Sequence, residues 1–229
     1  MNATNAWVGH LYPEFRGIIN PTRGQIIQVE GRHLDIQPIG WDDGSEYLVQ
    51  RPDGSLILGG GRRYASSSTD IRRVSDLTTE KHEIGNTDDT TIDPGVSHFL
   101  HTFLPTQMPL FSIAGNPPPA KSIREWTGIM GYPADLHPYV GRVPSEPKKW
   151  VIGGFYGHGM VRIWLCAKAL VQQLLAEESG QSLPWPQWMP YGYILRPDRL
   201  TRNIDLKTLL VNDGKYLDVF ESRSEHEKW

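Results

Sequence analysis

Residues 150–178 constrain the fold of this chain more than any other stretch. An apolar triplet, Trp150-Val151-Ile152, runs into Gly153, Gly154, Gly157 and Gly159, and an apolar periodic run then continues to Glu178. That order spells a buried strand, a tight turn and a helix opening at His158. Glycine in such a turn adopts backbone conformations closed to other residues and lets N–H groups approach a ligand closely. A helix N-terminus behind the turn favours negative charge. The same pattern also fits a strand-to-helix turn with no ligand, so the glycines alone do not assign a site.

The flanking chain reads as strands followed by helices and irregular loops. Ile18 to Val29 alternates around Pro21 and Gly24 and predicts a strand. Glu46–Gln50 and Ser55–Gly59 flank Arg51-Pro52-Asp53-Gly54, whose fixed φ and positive-φ position predict a hairpin. Residues 66–92 are polar and acidic and read as a surface loop. Pro94 to Leu104 places Val96, Phe99, Leu100 and Phe103 at helix spacing. Pro117-Pro118-Pro119 is a stiff spacer, and Ser122 to Gly128 predicts another strand. Residues 3–7, too short to stand alone, look like the end of a strand. Past Pro184 the chain is aromatic and irregular, and from 203 onward it is charged. Gly59-Gly60-Gly61 follows a strand, but no helical pattern opens after it. It reads as a strand end or bulge, not a phosphate loop.

At 229 residues the chain can bury a substantial core. Its net charge of -3 gives no electrostatic basis for binding nucleic acid or an anionic membrane. The single cysteine, Cys166, excludes an intrachain disulfide and fits a reducing compartment. No basic segment followed by an apolar one opens the sequence, so a cytoplasmic location is expected. No apolar run reaches membrane-spanning length.

Four segments, taken in order, carry a family resemblance. They are Ala3-Thr4-Asn5-Ala6-Trp7; Pro21-Thr22-Arg23-Gly24-Gln25; Trp126-Thr127-Gly128 leading to Asp135-Leu136-His137-Pro138-Tyr139-Val140-Gly141; and Gly154-Phe155-Tyr156-Gly157-His158-Gly159-Met160. Together they resemble the C-terminal half of the FAD-dependent amine and amino-acid oxidase family, which includes D-amino-acid oxidase, glycine oxidase, sarcosine oxidase and gamma-glutamylputrescine oxidase. The resemblance covers roughly residues 3 to 200. It implies an α+β fold in which residues 1–17 and 141–202 form part of an FAD-binding α/β domain. Residues 18–140 form an inserted, mostly antiparallel substrate domain, and 203–229 a polar extension. The family's opening strand, G-x-G-x-x-G turn and helix do not occur in these residues.

The resemblance also implies roles. Gly154, Phe155, Gly157, His158, Gly159 and Met160 are expected to meet the flavin ring. Asn5, Ala6 and Trp7 match a strand end that approaches the dinucleotide, although Trp7 equally suits packing. Trp126, Met130 and Arg51 are candidate substrate contacts. Where glycine oxidase-like relatives carry a carboxylate-clamping arginine, four residues after the tryptophan, this chain has Met130. A thioether cannot form that fork, so amines, N-methylated amines or polyamine conjugates are expected over simple α-amino acids. Arg51, Arg62 or Arg63 offers an alternative clamp, or a plain surface charge. Asp135 and His137 read as an acid/base pair or as structural groups; His98 and His101, one helical turn apart, read as a solvated face, with no metal expected. Cys166 reads as a core residue, so FAD is expected to bind noncovalently. The activity implied is oxidation of a C–N bond by hydride transfer to flavin, on a small-molecule amine or amino acid. The alternative is a non-catalytic remnant acting as a partner-binding module.

Overall fold

A computed structural model describes residues 1–30, 36–41, 45–65, 83–108, 122–144 and 146–201. These fall into two compact units: Met1–Thr22 together with the chain from Ile129, and Arg23–Gly128. The fold is α+β, with a mostly antiparallel sheet.

That sheet has the order β2-β3-β4-β1-β5, where β1 is Ile19–Val29, β2 Ile39–Trp41, β3 Glu46–Gln50, β4 Leu56–Gly59 and β5 Ser122–Pro133. β1 and β5 contribute residues to both units. The β3–β4 hairpin forms where Pro-Asp-Gly predicts it. Gly54 takes φ +84°, and the Asp53 carboxylate accepts the backbone N–H of Ser55 at 2.9 Å and its hydroxyl at 2.6 Å. Those bonds hold the Asp53 carboxyl below its ordinary value. Register places Leu48 opposite Leu58 and Leu58 opposite Ile27, so period-2 alternation delivers one apolar row to one face. Helix α2, Pro94–Gln107, covers that row with Val96, Leu100, Phe103 and Leu104. It starts where it does because Asp93 caps it, accepting the N–H of Gly95 at 2.8 Å and of Val96 at 3.0 Å. Each buried Leu or Ile contributes roughly 1.5–3 kcal/mol. Gly59 ends β4, and a Cβ at Gly60 would meet the backbone of Ser45 and Glu46. This glycine cluster therefore serves close packing.

Glu83 differs from the expectation of a surface loop. It is buried and receives a forked pair of bonds from Arg23, at 2.6 and 2.9 Å. Arg23 is itself buried on β1, and its guanidinium requires a partner there. Residues 66–82 and the proline spacer lie outside the described residues.

The other unit holds strands β6, Tyr139–Arg142, and β7, Trp150–Gly153, paired antiparallel. Two single-residue parallel bridges flank them, Asn2 to Val151 and Ile194 to Val140. Helix α3, Ile163–Glu178, packs Cys166, Ala169 and Leu170 against a cluster that includes Val140, Trp150, Ile152 and Phe155. The helix begins five residues later than the sequence predicts, because residues 156–162 form turns before it. Residues 3–7 are likewise not a strand end. Asn5–Trp7 is a 3-10 turn leading into helix α1, Val8–Leu11. Only Asn2 keeps a strand-like pairing, because Asn5 turns the chain to bond elsewhere. Helix α4, Pro197–Leu200, lies in the segment read as irregular. No helix among the described residues is long and apolar enough to cross a membrane.

Candidate functional site

Three segments meet at the end of β7. Asn5 adopts φ +50°, and its side-chain oxygen accepts the N–H of Gly154 at 2.9 Å and of Phe155 at 3.2 Å. Asparagine tolerates this left-handed conformation better than most residues. From the other side comes β5, where the Gly131 carbonyl accepts the Tyr156 N–H at 3.0 Å. Glycine is required at two of these crossings. A Cβ on Gly131 would lie 2.9 Å from the Asn5 side-chain oxygen and 3.0 Å from the Ala6 nitrogen. A Cβ on Gly153 would lie 2.9 Å from Val8 and 3.2 Å from the Asn5 Cα. Sequence motifs more than a hundred residues apart thus become one backbone-to-backbone junction.

Beyond the junction the backbone turns left-handed, at two glycines freely and at Tyr156 against the usual preference. Gly154, Tyr156 and Gly157 take φ of +74°, +51° and +71°. Tyr156 pays no glycine-like exemption for this; its ring is held edge-on against buried Tyr132, centroids 4.5 Å apart. The turn leaves backbone donors available. The His158 N–H reaches the Phe155 carbonyl, and the N–H groups of Arg162 and Ile163 reach the Gly159 carbonyl. Among the described residues, the N–H groups of Gly157, Gly159 and Met160 have no hydrogen-bond partner. These donors are free to meet a hydrogen-bond acceptor outside the chain.

His158 is exposed. Its Nδ1 lies 2.6 Å from the Tyr156 carbonyl, which can only accept, so Nδ1 is the donor in this contact. Met130, half-buried beside Gly131, brings its sulfur to 3.4 Å from the Cβ position of Gly157. Ala6 is buried, and Trp7 is half-buried with its ring edge-on to His10 at 5.3 Å. The structure therefore brings together Asn5, Ala6, Met130, Gly154, Phe155, Gly157, His158, Gly159 and Met160. Arg51 and Trp126 belong to the other unit. Arg51 is exposed at the β3–β4 turn, and Trp126 lies on β5 with β4 and β1 between.

Asp135 is a structural group. Its carboxylate takes a bidentate pair from Arg199, at 2.8 and 2.9 Å, with both side chains nearly inaccessible. The remaining guanidinium hydrogens go to the carbonyls of His137, Pro138 and Ile194, and the Tyr139 ring lies 3.8 Å from the guanidinium carbon. This arrangement ties down residues 133–138, where Leu136 takes φ +61°. His137 turns its Nδ1 back to the Asp135 carbonyl, 2.6 Å away. No metal-binding group of side chains occurs among the described residues, and the His101 Nδ1 bonds to the Ser97 carbonyl. Cys166 is buried, which raises its thiol above the ordinary value. Arg199 was not legible as an anchor, since its partner lies 64 residues away. Gly131 stood in the Trp126-x-Gly128-x-x-Gly131 spacing, the one signal that could have marked it.

A family model of FAD dependent oxidoreductases matches residues 1–173. The chain belongs to the FAD-dependent oxidoreductase family. Similar solved structures include glycine oxidase from Geobacillus kaustophilus, 19% identical with a TM-score of 0.54, over 80% of this chain and 42% of that one. L-proline dehydrogenase from P. horikoshii is 21% identical with a TM-score of 0.53, over 79% of this chain and 42% of that one. Fructosyl amine:oxygen oxidoreductase from Aspergillus fumigatus is 12% identical with a TM-score of 0.53, over 81% of this chain and 40% of that one. The chain thus spans less than half the length of these structures. No curated protein matches it.

Proposed function

We propose that this chain carries the ring-binding part of an FAD-dependent oxidoreductase that oxidises the C–N bond of a small amine. The observation that carries this reading is the set of partnerless N–H groups at Gly157, Gly159 and Met160, presented by a strained turn that Asn5 and Gly131 lock in place. FAD, bound noncovalently, would supply the hydride acceptor for oxidation of the carbon next to nitrogen. The backbone donors at Gly157, Gly159 and Met160 would hold the polar edge of the ring and favour negative charge there. His158, its Nδ1 turned to the Tyr156 carbonyl, stands at the same turn. A buried, protonated Cys166 does not supply a covalent attachment.

In this assignment residues 1–17 and 141–202 serve FAD and 18–140 serve substrate, with 203–229 as an extension. Met130 supplies an apolar substrate contact beside the turn. Met130 in place of a carboxylate clamp favours amines, N-methylated amines or polyamine conjugates over simple α-amino acids. The substrate is a small molecule, with no nucleic-acid or membrane partner, and the location is cytoplasmic. The second reading, a non-catalytic partner-binding module, draws on the lack of a phosphate turn in these residues.

The test is the visible absorption spectrum of the purified chain after FAD is added and excess removed. Retained oxidised-flavin absorbance, bleached anaerobically by an amine and not by α-amino acids, is expected. A folded chain that retains no flavin refutes the reading and favours the module. Met130→Arg is expected to shift preference toward α-amino acids.

A further inference from the structure

Three residues in the turn after β7 take positive φ: Gly154, Tyr156 and Gly157. At 154 and 157 the chain uses glycine, which adopts that conformation freely. At 156 it uses tyrosine, and φ +51° is an outlier for a bulky side chain that persists only where surrounding contacts over-determine it. Four contacts do so. The Tyr156 N–H donates to the Gly131 carbonyl on β5 at 3.0 Å. The Tyr156 carbonyl lies 2.6 Å from the His158 Nδ1. The Tyr156 ring stands edge-on to that of Tyr132, centroids 4.5 Å apart, and Tyr132 is itself buried. It also lies near-parallel to the His158 ring, 5.9 Å away with 22° between the planes.

We propose that Tyr156 is the positioning residue of this turn: its ring, set against Tyr132 and His158, fixes the direction in which the N–H groups of Gly157, Gly159 and Met160 point. The role rests on the flavin reading above. Nothing else in the turn is placed to do this. Asn5 reaches no further than the N–H of Phe155. The helix takes hold only at Gly159, whose carbonyl accepts the N–H groups of Arg162 and Ile163. Past Tyr156 and before that point, the one backbone bond among the described residues runs from the His158 N–H to the Phe155 carbonyl at 2.9 Å. Glycine on both sides of His158 gives this stretch the widest conformational choice available to a chain. An edge-to-face aromatic contact with a buried ring narrows it, and donors already held in their bound direction bind more tightly than donors that must first be ordered. A glycine or asparagine at 156 would reach positive φ with less strain but would leave the donors unaimed.

The experiment compares the full chain with Tyr156→Phe, Tyr156→Asn, Tyr156→Gly and Tyr132→Leu, each at a temperature where circular dichroism shows it folded. FAD affinity is measured by titration, and ¹⁵N relaxation of Gly157, Gly159 and Met160 is measured without FAD. Tyr156→Phe keeps the ring and is expected to bind FAD within about twofold of wild type. Tyr156→Asn and Tyr156→Gly keep positive φ, lose the ring and are expected to bind about tenfold or more weakly. In those two variants the order parameters of the three amides fall, while in Tyr156→Phe they do not. Tyr132→Leu reproduces the loss, and joining it to Tyr156→Asn adds nothing further, because both remove one contact. A tyrosine that only packs would lower the thermal midpoint and leave the amide order parameters and the affinity of the folded chain as they are; that result overturns the role. So does wild-type affinity in Tyr156→Gly, or losses that add in the double variant. The two readings fail separately. Wild type that retains no FAD removes the flavin reading, whereas unchanged order parameters in the FAD-free variants remove the positioning role alone.

Discussion

Replacing Asp135 with alanine tests whether the buried ion pair with Arg199 is what holds the 133–138 loop. All five guanidinium hydrogens are engaged: two by Asp135, one each by His137, Pro138 and Ile194. The alanine variant removes both charged acceptors and leaves a cation among three carbonyls, nearly inaccessible to water. Breaking a buried pair from one side costs about 3–5 kcal/mol, because the surviving charge remains desolvated. At roughly 2–4 °C per kcal/mol for a chain of this size, the melting transition falls by about 6–20 °C. Two compact units need not melt together, so calorimetry, which resolves separate transitions, is the suitable assay. Asp135→Asn is expected to lose a comparable amount, since its amide must aim a donor at a guanidinium. Asp135→Leu combined with Arg199→Met recovers most of the loss by removing both charges. The neighbouring pair Arg196–Asp198, at 3.1 Å with Asp198 exposed, is the control, and Asp198→Ala stays within about 1 kcal/mol. Wild-type melting in Asp135→Ala would refute the argument, because it would mean the cation is solvated or paired elsewhere.

Other expectations concern the junction and the core thiol. Asn5→Ala deletes two hydrogen bonds to Gly154 and Phe155 and places alanine at positive φ, for a loss of about 1–3 kcal/mol in urea unfolding; an unchanged midpoint would show that the bonds are not formed. Gly131→Ala puts a methyl against Asn5 and the Ala6 backbone and costs about 1–3 kcal/mol. Gly128→Ala, with nothing within 4 Å of the added methyl, stays within about 0.5 kcal/mol, and equal effects would contradict this packing. Burial raises the Cys166 thiol above 9.0, so above that pH the unfolded chain loses its proton before the folded chain does. The thiol's contribution is therefore fully present below pH 9 and is lost as pH rises past it. Cys166→Ala is expected to flatten the decline in stability above pH 9, and an unaltered slope would show that the thiol titrates normally.

The local elements were legible because their causes are local. Pro-Asp-Gly specifies the β3–β4 hairpin, the spacing of apolar residues after Pro94 specifies α2, and alternation specifies β1. The glycine pattern after β7 correctly marked a turn of unusual backbone conformation, although it misplaced the start of α3. Its error arose because residues 156–162 are locally compatible with helix, while bonds to Gly131 and Asn5 hold the preceding backbone in left-handed turns. The same long-range pull converts residues 3–7 from an apparent strand end into a 3-10 turn.

Sequence by itself determined the β3–β4 hairpin, the apolar spacing of β1 and α2 and the family motifs, because periodicity and turn chemistry act within a few residues. Tertiary structure alone decided that Asn5 caps Gly154, that Gly131 must lack a side chain and that Arg199 neutralises Asp135. Each of these joins residues 60 or more positions apart, and desolvation makes each pairing obligatory only once packing has removed water.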